Sequence, residues 1–362
     1  MSDTFQVVDY DGAVDLIHHS GKKTDKSNGI TYMLFGKPGV GKTSVVHGLK
    51  EKNPTHEVAM IDCANIDLGD LLMPWIDKEN RCTRYMPNAQ FKFHLKKPLI
   101  VALDEITKAT QAVQNMLLPL VLEKRIGDLH LQKGSMVLCT GNNPNLNLGD
   151  SIKSHVFNRF STLYFRCPSV EKWVDYAVKN NANAIGIAYI RQHPDNMTEY
   201  TDSGQSKNTK IFNPPEGIVK HFLSPRSMMM ACELLDHRKE VGATKTLAGL
   251  CGLIGQSAAM ELNAFIELDD KLPTWEAIIA NPATIEMHED PVADIITLHK
   301  AIHAVTSSTM PKWLEYLTRM AKEKQGMFAK VLQKSNNKNS MACKAFIDWA
   351  QENNYLFSKT VK

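Results

Sequence analysis

Apolar residues are distributed along the chain in two regimes that change near residue 166. Before that point they come in short runs: ITYMLF (30–35), EVAMID (57–62), PLIVALD (98–104), SMVLCT (135–140) and STLYFR (161–166). Each run is bounded by glycine, proline or polar residues and followed by helix-permitting sequence, so the five read as strands of a buried, largely parallel sheet in an α/β sandwich. After Pro168 apolar residues recur at spacings of three and four in VEKWVDYAV, SPRSMMMACELL and KTLAGLCGLIGQSAAMELNAFI, which predicts helices. The polar, turn-rich stretch 193–217 between them predicts a long loop. From about Pro291 the helical texture continues, broken by SNNKNS (335–340). One helix in the first section, KATQAVQNMLLPLVLEK (108–124), contains Pro119, which removes an N–H and crowds the preceding turn at a cost of about 3 kcal/mol; a kink or stop is expected there.

These regimes predict an α/β core at 1–166, a helical domain at 167–290 and a helical extension at 291–362, which suits a length of 362 residues. Composition changes this picture only through charge. The net charge of +3 conceals an uneven spread: residues 291–362 hold eleven basic and five acidic residues, leaving 31 basic against 34 acidic in the first 290. Such a basic tail attracts nucleic acid or forms a lysine-rich docking surface, the latter being favoured. The longest apolar run, Leu99 to Leu103, is far short of the roughly 20 residues of a membrane helix, so no membrane span is expected. MSDTFQVVDYDG has neither a basic flank nor an apolar stretch, so no signal peptide is expected. Seven cysteines without a CxxC pair disfavour zinc and a disulfide framework, and point to a cytoplasmic, reducing location. His299 and His303 share a helix face but lack the HExxH glutamate and a third ligand; they read as structural.

The chemistry begins at GKPGVGKT. Gly36, Lys37, Pro38, Gly39, Val40, Gly41, Lys42 and Thr43 fit GxxxxGK[ST], directly after a strand and, with Ser44, at the start of an amphipathic run. Glycines at 36, 39 and 41 let the backbone turn its N–H groups inward onto phosphate oxygens, with a helix N-terminus behind them. Lys42 then reaches the β and γ phosphates, and Thr43 offers its hydroxyl to Mg2+. The strand at 99–104 ends in two carboxylates, Asp104 and Glu105. The first suits the water shell of Mg2+ and the second a water-orienting general base, which points to nucleoside triphosphate hydrolysis, although a kinase fits the same two motifs.

The order of the remaining signals narrows this. SMVLCTGNNP (135–144), VFNRF (156–160) and LSPRS (223–227) follow the phosphate loop and the Asp-Glu strand. In this order they resemble an AAA+ ATPase, and within that superfamily its MoxR-like branch, over roughly residues 30–265. The resemblance implies a P-loop αβα core with a helical lid, binding ATP and Mg2+, and a set of roles. Asn142 or its neighbour Asn143 is the sensor 1 amide, Asn142 being preferred as the end of the strand. Arg159 corresponds to the arginine finger, supplied to a neighbouring subunit's nucleotide, and Arg226 to sensor 2. Local physics adds to the last: Ser224 and Pro225 make a helix start, and a cation in its first turn opposes the helix dipole unless an anion relieves it.

The resemblance extends to two predicted hairpins. One turns at DKEN (77–80), flanked by MPWI and RCTRYM, and resembles the family's pore-facing insertion, with Trp75, Ile76 and Arg81 as candidates for gripping a client; the other spans KRIGDLHLQKGSMV (124–137). Together these features imply a homo-oligomeric ring, expected as a hexamer, that remodels a protein client or an adaptor carrying a von Willebrand A domain. Two alternatives remain: a nucleic-acid motor or loader, supported by the basic tail, and a nucleotide-gated scaffold, which requires an idle Glu105.

Overall fold

The computed structural model describes residues 7–142, 158–216 and 221–356. Each of the five apolar runs forms a strand, at Tyr32–Phe35 (β2), Glu57–Asp62 (β3), Leu99–Asp104 (β6), Met136–Gly141 (β9) and Ser161–Phe165 (β10). A two-residue strand, Val7–Val8 (β1), pairs with Tyr164 and Phe165 and makes the sheet six-stranded where five strands are expected. Two residues carry no period to read. The order is β1-β10-β2-β9-β6-β3 and every pair is parallel.

The buried runs work because both faces of the sheet are covered. Along β6, Val101 and Leu103 face a layer that includes Leu71 of the short helix Leu68–Leu71 (α3) and Val113, Leu117 and Leu120 of helix Gln111–Glu123 (α4). Ile100 and Ala102 face Ile17 of Tyr10–Ser20 (α1) and Val45 and Leu49 of Val45–Lys52 (α2). Thus one apolar strand serves two cores, the signature of a three-layer αβα sandwich.

α4 does not stop at Pro119 but continues to Glu123. Asn115, whose carbonyl loses its partner, lies on the exposed flank of the helix, where that carbonyl can turn to solvent. Both predicted hairpins form: Leu72–Asp77 (β4) with Cys82–Pro87 (β5), and Arg125–Ile126 (β7) with Leu129–His130 (β8).

The described residues fall into two compact units divided between Cys167 and Pro168. The second is helical. KTLAGLCGLIGQSAAMELNAFI forms two helices, Ala243–Ile254 and Gln256–Asp269, separated by Gly255, whose φ of +82° and a backbone oxygen 2.7 Å from any added Cβ admit only glycine. The stretch from Pro291 clusters within this unit: helix Pro291–Ala304 packs on Ala184–Gln192, and the buried Trp313 ring lies 5.6 Å from Trp275. Among the described residues no helix is long and apolar enough to cross a membrane.

Candidate active site

β2 ends at Phe35 and α2 begins at Val45; the loop between them is the glycine-rich motif. Gly36 has no room for a side chain, because a Cβ there meets the Phe165 carbonyl oxygen of β10 at 2.7 Å. Gly39 and Gly41 take φ of +74° and +101°, the left-handed side that curls the loop over the helix start. Lys42 is buried, 8% exposed, and its Nζ donates to the carbonyls of Gly36 (2.8 Å) and Lys37 (3.0 Å), so the ammonium is held within the loop. Ser44 Oγ closes the turn by donating to Gly41 O at 2.5 Å. Val40 and Lys37 are buried and Pro38 half-buried, which fixes the loop against the core.

The register of the sheet brings the second motif to this loop. Phe35 pairs with Gly141 and Leu103 with Cys139, so Gly36, Asp104 and Asn142 leave one edge of the sheet together. Thr43 Oγ1 donates to Asp104 at 3.2 Å from each carboxylate oxygen. Thr140 Oγ1 donates to Asp104 Oδ1 and accepts the Glu105 N–H at 3.1 Å. Glu105 sits in the left-handed region, φ +50°, with its side chain ion-paired to Lys108. Neither carboxylate is deeply buried, as a group that must meet water and metal requires.

These donors fit the expected ligands. A glycine cradle with a buried ammonium suits phosphate oxygens, and a hydroxyl and carboxylate side by side are the oxygen donors that Mg2+ takes while keeping several waters. Thr43 and Asp104 are therefore the residues that would hold such a metal.

Of the other anticipated residues in the first unit, only Asn142 is brought to this loop among the described residues. Asn142 is half-buried at the tip of β9 beside the loop; Asn143, the alternative sensor 1 residue, lies outside the described residues. Arg159 is half-buried just before Ser161, which pairs with Tyr32 at the opposite edge of the sheet. At about 3.3 Å per strand residue, the four residues of β2 alone put roughly 13 Å between the two edges, so the fold does not bring Arg159 to Lys42. Arg226 is exposed in the first turn of helix Pro225–Asp236, where Ser224 and Ser227 cap each other reciprocally, with Ser227 N to Ser224 Oγ at 3.1 Å and Ser224 N to Ser227 Oγ at 2.9 Å. On the first hairpin Trp75 is 48% and Ile76 68% exposed, and Arg81 is exposed in the turn at φ +50°. Gly127 of the second hairpin has the Tyr85 carbonyl oxygen 3.2 Å from a notional Cβ, so the two hairpins are packed together.

Thr140 and the Cys63 amide, which donates to Asp104 O at 2.9 Å, are site residues that sequence reasoning misses. The available signal was a hydroxyl two residues before Asn142, but its partner becomes visible only with the strand register.

Loop, metal donors and adjacent carboxylate define a P-loop nucleoside triphosphatase core. Residues 31–160 match the family described as the AAA domain of the dynein-related subfamily, and this segment has the AAA P-loop fold. The chain has no sequence match among curated proteins. Similar solved structures include the RuvB Holliday junction branch migration motor of Thermotoga maritima (15% identity, 86% of this chain and 86% of that one, TM-score 0.39). Others are Hsp104 in a closed state with ATPγS and FITC-casein (16%, 59% and 41%, 0.35) and NtrX from Brucella abortus with ADP (11%, 91% and 65%, 0.32). At these values they are remote neighbours and say nothing of this chain's substrate or partner.

Proposed function

We propose that this chain is a Mg2+-dependent ATP hydrolase of the MoxR-like branch that works as a homo-oligomeric ring, a hexamer, to remodel a protein partner. The observation that carries the hydrolytic part is the convergence of Thr43 on Asp104 with Glu105 next in sequence. In this reading Lys42 and the loop amides bind the β and γ phosphates, and Asn142 and Glu105 orient a water against the γ-phosphate. Glu105 accepts the proton of that water. Mg2+ held by Thr43 and Asp104 supplies charge neutralisation.

The ring part is supported by the edge-to-edge separation of Arg159 from the loop, which leaves a neighbouring subunit's nucleotide as the natural target of the finger. Arg226 takes the sensor 2 role. The exposed Trp75 and Ile76 support a protein client or a von Willebrand A domain adaptor as the partner. Nucleic acid is less favoured, because two of the basic residues after 291 are already paired, Lys300 with Asp269 and Lys334 with Asp175. Seven free cysteines suit a cytoplasmic setting.

The test is to mix Lys42→Ala subunits, which keep the finger, with Arg159→Ala subunits, which keep the loop. Activity recovered above either variant alone is expected. No recovery in demonstrably mixed rings contradicts the assignment of Arg159.

A further inference from the structure

We propose that Thr140 is a positioning residue for hydrolysis, its single hydroxyl setting both carboxylates of the Asp104-Glu105 pair. This rests on the ATPase reading above. Thr140 is fully buried, 0% exposed, next to last in β9, and the register that pairs Leu103 with Cys139 puts it opposite Asp104. A threonine hydroxyl has one proton to give and lone pairs to accept. Here the proton goes to Asp104 Oδ1, and a lone pair takes the Glu105 N–H at 3.1 Å.

Across β6 the Cys63 N–H donates to Asp104 O at 2.9 Å. The peptide group linking the two carboxylates is thus held at its carbonyl from β3 and at its N–H from β9. This matters because Glu105 occupies the left-handed region, φ +50°, which a side-chain-bearing residue adopts only when its surroundings hold it there. The Thr140 hydroxyl is one of those restraints, and it fixes the Glu105 backbone directly after Asp104, the point from which the Glu105 side chain departs. Thr140 itself has little freedom: at the next residue, Gly141, a Cβ would lie 2.7 Å from both Met33 Cε and Thr107 Cγ2. The same strand then delivers Asn142, so one rigid tip carries the sensor amide and the brace of the carboxylates.

The test compares Thr140→Val, which keeps the shape and removes both bonds, with Thr140→Ser, which keeps the hydroxyl. Supporting groups behind functional ligands are worth about 10–100-fold in activity. Turnover of Thr140→Val is therefore expected to fall by about tenfold or more, with ATP affinity kept, and with Thr140→Ser restoring most of the rate. Wild-type turnover in Thr140→Val, or equal losses in both variants, overturns the proposal. Hydrogen exchange of the wild-type protein adds a readout independent of activity and of whether the variants fold. The Glu105 amide is expected to be protected, and exchange at the rate of an open loop also overturns it. If the wild type hydrolyses no ATP, the ATPase reading fails, while the exchange measurement still decides whether Thr140 holds the turn.

Discussion

The Thr43 hydroxyl lies 3.2 Å from both carboxylate oxygens of Asp104, although 60 residues intervene between them. Sheet topology makes this contact, since β2, β9 and β6 lie side by side and end at the same edge. If both groups hold Mg2+, Thr43→Ser should keep hydrolysis near the wild-type rate, and Thr43→Val should raise the Mg2+ concentration needed for half-maximal rate. A titration of rate against Mg2+ at saturating ATP checks this; an unchanged midpoint for Thr43→Val contradicts the metal role.

Gly36 tests the loop as a packing problem. An alanine there drives its Cβ into the Phe165 carbonyl, a backbone atom that cannot rotate away. Overpacking of this kind costs about 1–3 kcal/mol. Gly36→Ala should therefore lower the urea midpoint without nucleotide present, whereas a midpoint equal to wild type would show that the loop and β10 separate easily.

Lys124 gives a pH dependence. Its side chain is wholly buried, with Nζ donating to Val121 O at 2.8 Å and to Thr31 Oγ1, and with Cys139 and Lys23 as the nearby titratable groups. Burial lowers its pKa from 10.5 to about 8. Between these values the unfolded chain binds the proton that the folded one has released, so the contribution of Lys124 to stability rises with pH across that window. The slope is at most about 1.4 kcal/mol per pH unit. Urea unfolding of wild type and Lys124→Met at pH 7, 8 and 9.5 should show the wild type gaining on the variant above pH 8. A constant difference would contradict a charged, desolvated lysine.

The basic section after residue 291 separates the protein-partner reading from a nucleic-acid motor. Its removal is not a clean test, because Trp313 and Phe328, 5.4 Å apart, belong to the buried interior of the second unit. The exposed Lys330, Lys338 and Lys344 can be changed to glutamate together without touching that interior. ATP turnover is expected to be insensitive both to added DNA or RNA and to this substitution. Strong stimulation by nucleic acid that the triple variant loses would favour the motor.

What the sequence makes legible here is whatever is local. The phosphate loop and the Asp104-Glu105 strand end are runs of consecutive residues with fixed chemistry, and both hairpins are written as a turn between two extended segments. What it hides depends on register and on packing at a distance. Thr140 gains its meaning only opposite Asp104, and β1 exists only because Tyr164 and Phe165 offer it an edge. Propensity alone predicts a break at Pro119, yet α4 runs on to Glu123 with Asn115, the residue whose carbonyl is freed, exposed. The charge asymmetry marks residues 291–362 as an extension, while apolar residues there such as Trp313 and Phe328 are buried within the second unit.

Glu105 carries the account. Replacing it with glutamine keeps the volume and hydrogen-bonding shape and removes the base, and general-base catalysis contributes about 10²–10⁴-fold. The decisive measurement is single-turnover hydrolysis of bound ATP by Glu105→Gln alongside its ATP affinity. The expected result is hydrolysis slowed by at least about a hundredfold with ATP binding retained and rings accumulating. Hydrolysis at the wild-type rate would remove Glu105 from the chemistry and with it the proposal that this site is built to activate water.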